Sequence, residues 1–414
     1  MRRIKEIIYL FILLAVFAGC SSDDSGGDGG GDTGKIEKFD PVAVTKSNKT
    51  KVWAHYMPWF ETPETNNGKW GYHWTMNNRD PNKVDANGKR EIAAHYYPLI
   101  GPYASSDADV LEYHFLLMKY AGIDGILIDW YGTRKINDYE GIFKNTEAIV
   151  AALEKVGLDF AIVYEDRTLE EGLDDSGCIS QARQDMVYLQ NNFFKKSNYI
   201  KIDGNPLLLA FGPIILKKPV NWFQVFSGLS SKPAFFPIYY FLDLVNDNQY
   251  TSGAGGYIWV DENETRIKEL YGRTTDFGKL IGAAYPGFKD FYQEGGAGSA
   301  AGAIVDPENG ALIERLLKLA EEQKVDYLQL ITWNDIGEGT MIEPTLEYKY
   351  RFLEKIQGFT KVSYSTSHLE GIYKYYTLKK KYSDDKEKQN QLLQAFYYLI
   401  SLQDAKAHEI LNKL

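Results

Sequence analysis

Asp335 and Glu338 stand three residues apart in the run ITWNDIGEGTMIEPT, with Gly337 and Gly339 between and after them. If the segment curls into a helical turn, both side chains share a face, with Cβ atoms roughly 5–6 Å apart. The glycines permit a sharp backbone turn there. Two carboxyls at that range repel each other's charge, so one keeps its proton near neutral pH. Cleavage of a glycosidic bond needs that division: one acid protonates the leaving oxygen while a second group assists at the sugar. The same spacing also fits a helix N-terminus, where Asp-x-x-Glu approximates a capping box and acidic residues favour the positive end of the helix dipole. Spacing alone leaves both readings open.

Further polar and aromatic groups sit where other apolar runs end. HYMPWFE carries His55, Tyr56, Trp59 and Glu61; IDWYG carries Asp129, Trp130 and Tyr131; VYEDR carries Glu165, Asp166 and Arg167. Later runs end in WVDENE and AAYPGFKD. Each has a plainer reading. Glu165 can simply pair with Arg167, Trp130 can be a core ring, and His55 can be a satisfied core imidazole. Their concentration at the ends of successive runs tilts the balance toward a site.

The elements that must position these groups are short apolar runs alternating with helical patterns from residue 50 onward. Candidate strands are Val52–Trp59, Gly125–Trp130, Phe160–Tyr164, Pro206–Phe211, Ala234–Ile238, Tyr257–Val260, Ile281–Ala284 and Tyr327–Trp333. Helical patterns cover Val110–Ala121, Asn145–Val156, Ile179–Phe194 and Gly310–Gln323; in the last, Leu312, Leu316, Leu317 and Ala320 fit one buried face. Eight continuous apolar strands separated by helices point to parallel pairing and a closed (β/α)8 TIM barrel, whose active residues gather where strands end. A doubly wound open sheet is disfavoured, because no Gly-rich phosphate turn follows an early strand. Tyr364 to Leu414 reads as an appended C-terminal helical pair.

The ends and the composition set the context. Arg2, Arg3 and Lys5 precede the apolar run Ile7 to Phe17 and then Ala18-Gly19-Cys20, the order of a secretory signal. Small residues before a cysteine resemble the bacterial lipobox, although Phe17 stands where Leu is usual. Cys20 is then the acylated first residue, and an ordinary secretory signal is the alternative. SSDDSGGDGGGDTGK follows and holds nothing apolar to bury, so it reads as a flexible tether rather than a calcium loop. The expected organisation is a signal over residues 1–19, a tether over 20–48, a catalytic barrel over 49–360 and a helical extension over 361–414. Cys178 is the only other cysteine, which leaves no intramolecular disulfide in the mature chain. A net charge of −10 argues against nucleic acid as a partner. The 30 Tyr and 8 Trp offer ample ring surface for stacking on sugars. No H-E-x-x-H helix, Cys/His cluster, G-x-S-x-G elbow or P-loop appears. The segment GGAGSAAG near residues 295–302 follows a loop and reads as a mobile covering.

ITWNDIGEGTMIEPT resembles the strand-eight signature of glycoside hydrolase family 99, the endo-acting α-mannosidases and α-mannanases, in which two glutamates stand three apart. Asn334, Asp335, Glu338, Gly339, Thr340, Ile342 and Glu343 fall in register, and HYMPWF, DWY and the Glu ending strand three also fit. The resemblance runs in order over most of residues 50–350. It implies retention of configuration through a 1,2-anhydro sugar, with Asp335 as the base at the 2-hydroxyl and Glu338 as the acid and then the base. It further implies that Glu165 binds sugar hydroxyls and that Trp130 and Tyr56 line the donor side. Tyr131, His55, Asn334, Glu343 and Asp129 complete the expected substrate-binding set, with no metal or organic cofactor. Asp335 departs from the family pattern by one methylene, and W-N-D-x-G-E is more similar to the related family 71, the α-1,3-glucanases. A wider similarity to glycosyltransferase-like proteins is weaker, because an exported protein lacks the cytosolic nucleotide-sugar donor. Two classes stand: an endo-α-glycosidase, and a glycan-binding lipoprotein that has lost turnover through Asp335. Either is expected to be an exported monomer, held on the bacterial membrane by its lipid, on the outer-membrane surface in one version, with a polysaccharide or oligosaccharide as ligand.

Overall fold

The computed structural model describes residues 36–273 and 278–414. The expected signal, Cys20 and the glycine-rich part of the tether lie outside the described residues. Among the described residues, no helix is long and apolar enough to cross a membrane.

Eight parallel strands form the centre: β1 (Lys51–Tyr56), β2 (Gly125–Trp130), β3 (Asp159–Tyr164), β4 (Asn205–Ala210), β5 (Ala234–Pro237), β6 (Gly256–Tyr257), β7 (Leu280–Ala284) and β8 (Tyr327–Leu330). Each pairs with its neighbours in chain order, and β8 returns to β1 with Lys51 opposite Tyr327 and Ala54 opposite Leu330. Parallel bridges Phe235–Gly253 and Ile238–Tyr257 join β5 to β6 and close the ring. The barrel is therefore the (β/α)8 arrangement that the apolar runs predict, and all eight strands fall on their predicted segments. All six residues of β2 are buried, as strands covered on both faces require.

Helices α1 (Ala108–Tyr120), α2 (Tyr139–Val156), α3 (Asp175–Asn192), α4 (Pro219–Phe226), α5 (Thr265–Gly272), α6 (Ala311–Glu322) and α7 (Arg351–Thr360) wrap the strands. Between β5 and β6 a 3-10 turn, Tyr239–Leu244, takes the place of a helix. Asp107 starts α1 by accepting the N–H groups of Asp109 and Val110, and Asp174 starts α3 by accepting that of Gly177. In α6, Leu312, Leu316, Leu317 and Ala320 are buried, the stripe read from their spacing.

The C-terminal stretch differs from the predicted pair by one element. It forms three helices, α8 (Thr366–Lys381), α9 (Lys386–Ile400) and α10 (Asp404–Lys413), because Ser401 and Leu402 break a pattern that looks continuous. Lys379 of α8 meets Asp109 at 2.8 Å and Glu112 at 2.6 Å, and Lys380 meets Asp107 at 2.7 Å, fixing α8 to α1. Residues 36–48, assigned to the tether by composition, run along these helices. Val42 N–H donates to the Ile400 carbonyl at 3.0 Å, and Glu37 N–H to Gln394 Oε1 at 2.7 Å.

Gly125 opens β2 where a Cβ would stand 2.3 Å from the Asp159 carbonyl oxygen of β3. Gly125→Ala is expected to force the two strands apart and lower stability by about 1–3 kcal/mol in urea unfolding. An unchanged unfolding midpoint would show that this approach does not constrain the pairing.

Candidate active site

The segment following β8 is a looped-out turn held at its base. Thr332 N–H donates to the Thr340 carbonyl at 2.8 Å, and Ile342 N–H to that of Thr332 at 2.9 Å. Within the loop, Asp335 N–H donates to Thr332 Oγ1 at 2.7 Å, and Asp335 Oδ1 accepts the Glu338 N–H at 2.9 Å. Asp335 thus does what a helix cap does, yet no helix follows, because Gly339 takes a left-handed φ of 68° and ends the turn. A Cβ at Gly339 would stand 2.8 Å from the Lys289 carbonyl. The loop after β7 grips the outer side of this turn: Lys289 N–H donates to the Glu338 carbonyl and Phe291 N–H to that of Gly337, both at 2.8 Å.

Asn334 ties the turn to β1. Its Oδ1 accepts the Met57 N–H at 2.8 Å and its Nδ2 donates to the Met57 carbonyl at 3.0 Å. The same Nδ2 donates to Tyr103 Oη at 3.3 Å, and Tyr103 O–H donates to Glu343 Oε2 at 2.7 Å. Glu343 Oε1 lies 3.2 Å from His114 Nε2, and His114 Nδ1 lies 3.0 Å from Tyr56 Oη. With Tyr56 O–H donating to His114 Nδ1, the Nε2–H of that ring donates to Glu343 Oε1, so the chain of bonds runs in one direction. All five side chains are buried. Asn334, Glu343 and Tyr56 are thus held in one buried hydrogen-bonded network behind the turn. The buried Trp130 ring stacks against Tyr188 of α3 at 5.9 Å.

The other predicted residues converge. Asp129 ends β2 with neither carboxyl oxygen meeting a protein partner. Burial, then the charge of Glu165, raises its proton affinity well above the usual carboxylate range. Glu165, just past β3, holds Arg167 in a two-point ion pair at 2.7 and 3.1 Å. The pair is a finding on both counts, since Glu165 has its bland partner and still faces the cluster. Tyr131 lies beside Glu165 and Asp129; burial first and then those carboxylates push its phenol up. His55 is a buried ring, edge-on to Trp259 at 4.8 Å, and burial lowers its pKa to about 3, so it stays neutral.

Asp335 is 3% exposed. Burial, then the charge of Glu338, raises its proton affinity strongly. Glu338 forms part of the wall of a cleft of about 670 Å³ shared with Phe211, Trp259, Asp261 and Phe288. Burial lifts its pKa to about 7, against a donor bond from Tyr292 O–H to Oε1 at 3.0 Å that pulls it down. Tyr292, on the loop after β7, escapes sequence reading, since loop residues follow no period. The segment read as a covering contributes Ala301 and Gly302 to the cleft wall, and Ala303 follows them there. Among the described residues, no three His, Cys, Asp or Glu side chains are arranged to hold a metal ion.

A (β/α)8 barrel that gathers Asp129, Glu165, Asp335 and Glu338 at its strand ends carries the kind of paired carboxylates that glycoside cleavage uses. The model of glycosyl hydrolase family 99 matches residues 47–235, from β1 into β5. A mouse glycoprotein endo-alpha-1,2-mannosidase-like protein is 32% identical over 91 residues, a segment that spans 19% of that relative's length. The solved GH99 endo-alpha-mannosidase of Bacteroides thetaiotaomicron superposes with a TM-score of 0.59 at 18% identity, covering 78% of this chain and 100% of that one. A solved glycoside hydrolase-like protein superposes with a TM-score of 0.53 at 14% identity, covering 80% and 98%. The family-99 match thus covers residues 47–235, under half of the chain, and the solved structures extend the likeness in fold over most of it.

A carboxyl whose pKa rises from 4.5 to about 7 on folding opposes folding once it ionises. That penalty is absent below the unfolded pKa and complete above the folded one. Glu338→Gln is thus expected to stabilise the protein by about 1–2 kcal/mol at pH 8 and by little at pH 5, measured by urea unfolding. Equal effects at both pH values would count against the raised pKa.

Proposed function

We propose that the protein is an endo-acting hydrolase of α-mannosidic linkages in mannan or a related glycan, working with retention through a 1,2-anhydro sugar. The observation that supports it is Glu338, raised to about 7 on the wall of an open cleft and joined through its own N–H to Asp335. In the first step Asp335 takes the proton of the sugar 2-hydroxyl. The 2-oxygen forms a bond to C1 as the bond from C1 to the leaving oxygen breaks, and Glu338 gives its proton to that oxygen. In the second step Glu338, now ionised, takes a proton from water. The water oxygen bonds to C1, the bond from C1 to the 2-oxygen breaks, and Asp335 returns its proton to the 2-oxygen. Two displacements at C1 restore the original configuration.

A neutral Glu338 is available as the acid at working pH, and Asp335 acts as the base in its ionised form, in which a raised proton affinity makes it the stronger base. Glu165, held by Arg167, is the acceptor for hydroxyls beside the cleaved bond. Asp335 is shorter than the family's glutamate, which favours a second reading, hydrolysis of α-1,3-glucan as in the related family. Loss of turnover with glycan binding kept is the third. Export and anchoring through acylated Cys20 complete the proposal and place the enzyme on the membrane surface, where polysaccharide is met.

Reducing-sugar release from yeast mannan and from α-1,3-glucan separates these readings, with NMR of the first-formed anomer reporting stereochemistry. Glu338→Gln is expected to lower turnover by about 10²–10⁴-fold or more while leaving glycan affinity largely intact. Unchanged turnover would overturn the assignment of the acid. Activity is expected to fall as pH rises through about 7. Because the Tyr292 bond favours the carboxylate, Tyr292→Phe should move that limb to higher pH; a limb that stays in place would remove Tyr292 from the site. Cys20→Ser is expected to shift the protein from the membrane to the soluble fraction of fractionated cells, and continued membrane association would rule out the lipid anchor.

A further inference from the structure

A second concavity, of about 340 Å³, opens between the loops that follow β1 and β2. The Glu338 cleft draws its wall from the ends of β4, β6, β7 and β8, so the two clefts lie at one end of the barrel on opposite arcs of the ring. Tyr131, beside Glu165 and Asp129, packs edge-on against Tyr139 at 5.1 Å, and Tyr139 follows Asp138 of the second cleft. A polymer with its scissile bond at Glu338 would therefore extend across the barrel mouth toward this second cleft.

The lining is built rather than incidental. The Trp59 ring lies parallel to His73 at 4.1 Å, with 5° between planes, so one face is fixed and the side chain borders the cleft. His73 also faces Asp138 at 3.8 Å. Buried Asn145 donates to Glu61 Oε1 at 2.6 Å, and Thr65 donates to the other Glu61 oxygen. Tyr72 borders the same space and is 46% exposed. An aromatic platform beside pre-positioned carboxylates suits a ring with apolar C–H faces and many hydroxyl donors. Glu61, Asp138 and Glu140 repel phosphate or sulfate, and Lys144, the cation of the lining, is already paired with Glu140 at 3.0 Å.

We propose that this cleft is a distal sugar-binding subsite for a neutral glycan, with Trp59 as the stacking platform and Asp138 and Glu61 as acceptors for hydroxyls, holding a unit remote from the bond being cut. The inference rests on the hydrolase reading above for the direction of the chain, but its test is binding. Calorimetry on the full-length Glu338→Gln protein with α-mannooligosaccharides and α-1,3-glucooligosaccharides of increasing length is expected to show a step in affinity as the chain reaches the cleft. Adding Trp59→Ala should remove about tenfold of the affinity for the long members and leave the short ones unchanged. Trp59→Phe should retain most of the step, and Asp138→Asn, which leaves the ring stack in place, should weaken it. No step, equal losses for short and long chains, or no binding of either series would overturn the subsite. If the unsubstituted protein hydrolyses neither glycan while the length-dependent step survives, the hydrolase reading fails and the subsite stands.

Discussion

Asn334 hydrogen-bonds both polar groups of a single peptide position, Met57, and so joins the segment after the last barrel strand to the segment after the first. The β8–β1 ladder ends at Leu330 and Ala54; beyond it Trp333 N–H still donates to the His55 carbonyl at 2.6 Å, and the Asn334 amide extends the closure to Met57. Asp335 is the next residue. A shift of about 1 Å in such a group can cost on the order of a hundredfold in rate. The chain of Tyr103, Glu343, His114 and Tyr56 behind the amide gives every donor an acceptor, which fixes the face that Asn334 presents. Buried polar networks of this kind rigidify when complete and are costly when broken.

The acids on the other side of that clamp are held in a state that burial alone makes unfavourable. Asp129, Glu165, Asp335 and Glu338 share one space, and Arg167 is the cation paired with it. Its pairing with Glu165 is two-pointed, while its side chain remains 55% exposed, so the arginine links the cluster to solvent. Burial first, opposed by the donor bond from Tyr292 and aided by neighbouring carboxylate charge, lifts Glu338, on the wall of the open cleft, to about 7. Stability is sacrificed at these positions and supplied by the apolar layers beneath them.

The barrel was legible because each strand is covered on both faces and therefore reads as an unbroken apolar run, with helical periods between. The C-terminal helices were less so, since a break of a few residues near Leu402 changes neither composition nor period. At the site, sequence pointed to the strand ends and loops that carry Asp129, Glu165, Asp335 and Glu338 but not to which layer each neighbouring side chain faces. Asp129 and Trp130 are neighbours on a strand, as are His55 and Tyr56, and side chains alternate between faces. Taking both members of each pair as site residues conflicts with that alternation, and the structure turns Trp130 and Tyr56 toward the helices. Asn334 and Glu343 matched a family pattern, but a pattern records that a residue is needed and not what it touches. Tyr292 owes its position to loop packing, for which local sequence carries no signal, whereas Trp59 stands in the HYMPWFE run that sequence had singled out.

The donor that tempers the burial-raised proton affinity of Glu338 comes from a different βα unit than the carboxyl itself. Tyr292 rides on the loop after β7, whereas the acid rides on the turn after β8, and the two meet through one phenol and two backbone bonds. Lengthening, shortening or recolouring the first loop can therefore retune the acidity at which the enzyme works without disturbing the carboxylate pair. A lineage carrying this scaffold could follow its habitat from acidic to alkaline surroundings by changes confined to a surface segment.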